Sequence, residues 1–183
     1  GLGDVYKRQI EGDSMKIKNE DYEIICDTRE QDTLIQDTLI KNGIQATREK
    51  LNTGDYAIRY QGEYIPNILI ERKAGLDELL GNLMDPVKDE NKDNRFIREL
   101  KRAKEAGVKL FLLIQDKDYY IKLLKGEYIS HVHPNASAAM VISLMAKFDN
   151  LHIIACDRKE SPSMVHKILY YHLREEIKRK EGN

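Results

Sequence analysis

Asp55, Glu71 and Lys73 are the side chains in this sequence whose types and spacing could do chemistry together. Glu71 and Lys73 stand two apart at the end of an apolar run, Ile65 to Ile70, that reads as a buried strand. In a strand, residues i and i+2 share a face, so a carboxylate and an ammonium would project together from one strand end. Asp55 follows Gly54 in a turn and could add a second carboxylate from a neighbouring strand. Two hard oxygen ligands suit Mg²⁺ or Mn²⁺, which polarise a phosphoryl oxygen and acidify bound water. The lysine would orient that water or neutralise charge developing at phosphorus. The plain alternatives are a solvated Glu71–Lys73 ion pair and a turn aspartate at position 55.

Other polar residues fall at places where they could serve the same site. Asp27 ends the apolar segment that starts at Tyr22, at the C-terminal strand end where α/β sheets often place functional groups, and is a candidate metal ligand, directly or through water. Arg29 carries a guanidinium fork suited to a phosphate, and Glu30 is placed to brace Arg29 or Arg72. Strict alternation turns Arg72 away from Glu71 and Lys73. Either the strand twists or bulges there, or Arg72 supports the site from behind or meets a phosphate. Asp77 is open to a site role and to a helix N-cap role. Gln115 ends another apolar run and is a supporting candidate. Arg95 and Arg98 begin a helical segment within residues 88–109, which hold eight Lys/Arg against five Asp/Glu, a mildly basic stretch that could meet DNA backbone or simply face solvent.

The elements that must position these groups follow from periodicity. Strands are expected at Tyr22 to Cys26, Ala46 to Lys50, Tyr56 to Tyr60, Ile65 to Lys73, Val108 to Ile114 and Leu151 to Ala155. A tandem pentapeptide, QDTLI-QDTLI, fills residues 31–40; its leucines and isoleucines give a helical stripe stopped by Gly43. Further helices are expected from Asp77 through Leu83, from Arg95 to Ala106, from an Asn135 cap with Ala139, Ile142, Met145 and Phe148 on one side, and from Ser161-Pro162 toward Lys180. Residues 85–94, with six charges and no aromatic, read as a mobile loop. Strands alternating with helices imply a three-layer α/β domain with a mixed sheet.

Composition sets bounds. The chain has 183 residues, 41% hydrophobic and 33% charged, which fits one globular domain with a sizeable core. A net charge of −1 lacks the excess of a protein that coats nucleic acid, so DNA contact would come from a local patch. Cys26 and Cys156 have no ligand spacing and read as buried free thiols in a reducing, intracellular compartment, cytoplasmic in a prokaryote or virus and nuclear in a eukaryote. No apolar stretch is long enough to span a membrane. Residues 1–14 have no periodicity and read as a non-native or disordered leader, leaving 15–183 as a single domain. His131-x-His133 reads as loop, His166 and His172 as packing or surface residues, and the Tyr119-Tyr120 and Tyr170-Tyr171 pairs as core or interface.

Taken together, Gly54-Asp55, Glu71-Arg72-Lys73 and Asp77 resemble the GDXnERKXXXD signature of the XPF-type structure-specific DNA endonucleases, a branch of the PD-(D/E)XK nuclease superfamily. Upstream, Asp27-Thr28-Arg29-Glu30 matches that family's D-[ST]-R-E, and the two motifs come in the family's order. The resemblance runs from about Glu23 to Lys180. It implies a restriction-endonuclease-like three-layer α/β/α fold with a central mixed sheet. It also implies Mg²⁺- or Mn²⁺-dependent hydrolysis of DNA phosphodiesters, in branched, flap or forked DNA, leaving a 5′-phosphate and a 3′-hydroxyl. By resemblance Lys73 is the catalytic lysine and Arg72 belongs to the active-site motif. The tandem helix-hairpin-helix domain that many members carry has no counterpart in this sequence, and the grip on DNA is then expected from a homodimer or a targeting partner. The other readings are a catalytically weak, nuclease-fold DNA-binding subunit and a resolvase or restriction-like nuclease.

Overall fold

The computed structural model describes residues 15–65, 67–87 and 93–182. The expected leader at 1–14 and the middle of the expected loop at 85–94 lie outside the described residues. A central sheet joins β1 (Tyr22–Asp27), β2 (Ala46–Glu49), β3 (Tyr56–Tyr60), the short β4 (Glu63–Tyr64), β5 (Ile68–Lys73), β6 (Lys109–Ile114) and β7 (Leu151–Ala155). Their order is β2-β1-β3-β5-β6-β7, with β4 on the edge of β3. Pairing is antiparallel at β1–β3, β3–β4 and β3–β5 and parallel at β1–β2, β5–β6 and β6–β7, so the sheet is mixed.

Side-chain alternation along β6 separates the two cores. Phe111 and Leu113 join one cluster with Ile24, Cys26, Ile58 and Ile70, covered by α1 (Leu34–Lys41) and α6 (Ser161–Glu181). Leu110, Leu112 and Ile114 join the other, beneath α2 (Leu76–Met84), α3 (Arg95–Glu105), α4 (Tyr119–Lys125) and α5 (Pro134–Lys147). A strand buried on both faces carries the continuous apolar run expected of a parallel strand between helical layers. The result is a three-layer α/β/α domain with the sheet in the middle. Cys26 and Cys156 are buried free thiols. Among the described residues no helix is long and apolar enough to cross a membrane.

Several boundaries differ from the sequence reading, each for a local reason. β5 begins at Ile68 rather than Ile65, whose amide instead donates to Ile58 O at 3.0 Å. The two copies of the pentapeptide do different things. Asp32 stays outside α1 and its carboxylate accepts from the Leu34 amide, whereas Asp37 lies within the helix. Five residues advance an α-helix by about 140°, so the copies cannot face alike: Ile35 is fully buried and Ile40 is exposed. In α5 the stripe of Ile142 and Met145 is exposed, and Ser137, Val141 and Leu144 face the core. The cap there is His133, whose side chain accepts from the Asn135 amide. Ser161 does not cap α6; its hydroxyl bonds elsewhere, as described below.

Candidate active site

The ends of β1, β3 and β5 meet at one cavity of about 220 Å³, lined by Arg29, Glu30, Asn52, Thr53, Gly54, Asp55, Glu71, Arg72, Lys73, Glu78, Arg95 and Glu99. The chain reaches it through Gly54, whose φ of +77° suits glycine. A Cβ there would sit 3.2 Å from both Ile70 O and Leu69 Cβ, so the turn into β3 passes hard against β5. That approach sets Asp55. Its amide donates to Ile70 O at 2.8 Å, and its Oδ2 accepts from the Arg72 amide at 2.8 Å, so the side chain continues the ladder where β3 leaves β5.

The cavity-facing side of β5 carries Glu71 and Lys73. Lys73 is almost fully buried; its Nζ donates to Glu71 Oε1 at 2.8 Å, stands 3.8 Å from Glu78 Oε1, and lies 5.3 Å from the centre of the Phe96 ring. Asp55 sits opposite this group. Burial first, and the nearby Glu71 carboxylate second, push the Asp55 carboxyl up to about 7, against the pull of the Arg72 amide. Two carboxylates converging with a lysine beside them form a compact, charged, partly dehydrated site.

Arg72 occupies the other face of β5, as alternation requires. The β5–β6 ladder runs without interruption through it, so no bulge turns it round. Its Nε and NH2 grip Glu30 at 2.6 and 2.9 Å, and NH1 donates to Gln115 Oε1 at 3.0 Å. Burial works against its charge, but Glu30 more than offsets this and raises its pKa. Gln115 in turn donates to Ser161 Oγ at 2.7 Å, Ser161 donates to Arg158 O, Arg158 pairs with Asp32, and the Asp32 amide donates to Glu30 Oε1. A closed polar circuit thus joins β5, β6, the turn after β1 and the start of α6. Glu30 braces Arg72 rather than Arg29. Gln115 stands behind the site and does not line it.

The remaining candidates separate. Asp27 is fully buried and both oxygens are committed: Oδ1 accepts from the Arg29 amide and Nε at 2.7 Å each, and Oδ2 accepts from Arg29 NH2 at 3.1 Å and the Leu51 amide at 2.6 Å. Burial alone would raise its pKa, yet these bonds hold it below the usual carboxylate value. Asp27, expected as a candidate metal ligand, is thus held by four donors and is not among the residues that line the cavity. Arg29, half exposed, stays on the cavity wall. Arg95 lines the mouth, paired with Glu99 at 3.0 Å, whereas Arg98 lies off the cavity with NH1 donating to Asp93 O. The cap expectation for Asp77 is corrected. Gly75 holds the cap position of α2, and Asp77 accepts from the Ile129 amide at 2.8 Å, outside the cavity.

Sequence reasoning missed Glu78, Asn52, Thr53 and Glu99. Glu78 had a signal: it lies three residues after the cap position, the spacing at which a glutamate reaches back to the helix start. Its Oε2 does so, accepting from the Ala74 amide at 2.7 Å.

Comparison with known proteins agrees with this architecture. Among solved structures the chain is similar to XPF from Aeropyrum pernix, at 17% identity and a TM-score of 0.59, over 80% of this chain and 64% of that one. It is also similar to XPF from Aeropyrum pernix in complex with DNA, at 17% identity and a TM-score of 0.60, over 84% of this chain and 65% of that one. The chain therefore spans just under two thirds of those chains, and at this identity the likeness is one of fold. No curated protein matches. The family model of the ERCC4 domain matches residues 26–179, most of the chain, and the chain belongs to that family, that of the XPF-type nucleases.

Proposed function

We propose that this chain is a divalent-metal-dependent DNA endonuclease that hydrolyses phosphodiester bonds in branched, flap or forked DNA. The observation that carries this reading is the convergence of Asp55, Glu71 and Lys73 in one cavity. The donor set fits Mg²⁺ or Mn²⁺. Asp55 and Glu71 offer hard oxygens, and burial first, with Glu71 second, raises the Asp55 carboxyl, so that a bound cation would take the place of a proton there. Among the described residues no three His, Cys, Asp or Glu side chains are arranged to hold a metal. Two carboxylates, with water and phosphate completing the shell, is the mode Mg²⁺ commonly uses. When bound there, the cation supplies Lewis-acid polarisation of a phosphoryl oxygen and a water of lowered pKa.

The chain's own groups do the rest. Lys73, fixed by Glu71 and Glu78 against the Phe96 ring, holds one ammonium where a water proton or a developing phosphorane charge can meet it. Water adds to phosphorus, the deoxyribose 3′-oxygen leaves and takes a proton, and the products are a 5′-phosphate and a 3′-hydroxyl. Arg29 and Arg95 stand on the cavity wall as phosphate contacts. Arg72 keeps β5 in place through Glu30 and Gln115 and also stands at the cavity wall. With a net charge of −1, the chain gains its grip on DNA through a second copy or a targeting protein.

The test is cleavage of end-labelled flap, fork, four-way-junction and linear duplex DNA in Mg²⁺ or Mn²⁺, with Lys73→Ala beside the parent. Cutting that Lys73→Ala abolishes is expected, with a branched substrate preferred. Equal cutting of linear duplex would replace the branched-DNA reading with a restriction-like one. Binding without cutting would replace the enzyme with a DNA-binding subunit.

A further inference from the structure

The Lys73 ammonium has two carboxylate neighbours, and only one of them belongs to the proposed metal pair. Glu71 Oε1 is 2.8 Å from Nζ and Glu78 Oε1 is 3.8 Å away. Any cation held by Asp55 and Glu71 places a second positive charge beside Lys73 and claims electron density from its closest partner. An ammonium in an almost fully buried position with a weakened partner carries a desolvation cost that only another anion offsets. Glu78 is that anion. Its far oxygen is pinned by the Ala74 amide at 2.7 Å, which leaves Oε1 directed at the lysine, and Glu78 lines the same cavity. The neighbouring acid, Asp77, accepts from the Ile129 amide at 2.8 Å and is not among the residues lining this cavity.

We propose that Glu78 is a positioning residue that holds Lys73 beside the scissile phosphate whenever a divalent cation occupies Asp55 and Glu71. This rests on the metal-dependent reading of the cavity. Glu78 then acts on cation binding through Lys73: without it, Lys73 remains on Glu71 and competes with the cation.

A double-mutant cycle tests this, read by calorimetric binding of Mn²⁺ to DNA-free protein. Glu78→Gln keeps an oxygen for the Ala74 amide and removes the charge, so folding is checked by thermal denaturation and little change is expected. In the parent, Glu78→Gln is expected to weaken Mn²⁺ binding threefold to tenfold. In a Lys73→Ala background the same substitution is expected to weaken it less than twofold. Cleavage assays should show kcat reduced with KM for DNA unchanged or lower, since a negative charge has left a DNA-facing wall. An equal loss of Mn²⁺ affinity in both backgrounds would overturn the inference, since Glu78 would then act on the cation directly. No effect in either background would overturn it too. A parent that binds no Mn²⁺ would overturn the metal-dependent reading and this inference with it.

Discussion

Asp27 and Asp55 stand at the ends of neighbouring strands, joined by a backbone hydrogen bond of 2.8 Å from the Asp27 amide to Asp55 O, and they have opposite electrostatic fates. Asp27 is fully buried and accepts four hydrogen bonds, three from Arg29 and one from Leu51; its carboxylate is held below the usual range. Asp55 accepts one, from the Arg72 amide, and faces Glu71; its carboxyl is pushed up to about 7. The same side chain at the same kind of position thus becomes a brace when its lone pairs are filled and a candidate ligand when they are not. Burial pushes both carboxyls upward. The count of donors distinguishes them.

The largest effect that bears on this contrast is the loss of the brace. Asp27→Asn turns one of the two acceptor oxygens into a donor facing Arg29 and Leu51, and is expected to destabilise the fold by about 2–4 kcal/mol, measured by chemical denaturation. A change under 1 kcal/mol would mean that the four bonds count for little.

The opposite sign is expected at Asp55. Its carboxyl holds a proton in the folded state between its ordinary value of 3.8 and about 7, where the unfolded chain has lost it. The unfolded state therefore binds fewer protons, and metal-free stability falls as pH rises through that window. Asp27 has the reverse linkage: its contribution is present above the ordinary carboxylate pKa and is lost as pH falls through its lower folded value. Asp55→Asn is expected to stabilise metal-free protein by roughly 1–3 kcal/mol at pH 8 and to flatten the decline between pH 4 and 7. Melting temperatures across pH 4–8 check both. A variant less stable than the parent at pH 8 would contradict the placement of Asp55 against Glu71.

A smaller effect is expected behind the sheet. Gln115→Leu removes the link between Arg72 and Ser161. A loss of about 1–2 kcal/mol, with cleavage reduced only a few-fold, would fit a circuit that supports β5 from the far face. A loss of cleavage as deep as that of a cavity residue would bring Gln115 into the chemistry.

The sequence made the sheet legible because apolar runs and period-two alternation are local properties. Alternation alone also put Arg72 on the face opposite Glu71 and Lys73. The saturation of Asp27 was hidden because one of its donors, the Leu51 amide, arrives from 24 residues away. Asp77 and Glu78 are adjacent in sequence, and only the helix phase after Gly75 decides which of them reaches Lys73. Gln115 was visible as a strand-end polar group, but its partner, Ser161, looked like a helix cap until the fold brought the two together.

The most direct measurement compares cleavage by Asp55→Asn and Asp27→Asn in Mg²⁺, on whichever DNA the parent cuts best, at a temperature where circular dichroism shows both variants folded. Asp55→Asn is expected to lose activity on the order of 10³-fold or more, and Asp27→Asn to stay within about tenfold of the parent. Comparable losses in both, or a Asp55→Asn protein that still cuts, would contradict the division of the two aspartates into brace and ligand.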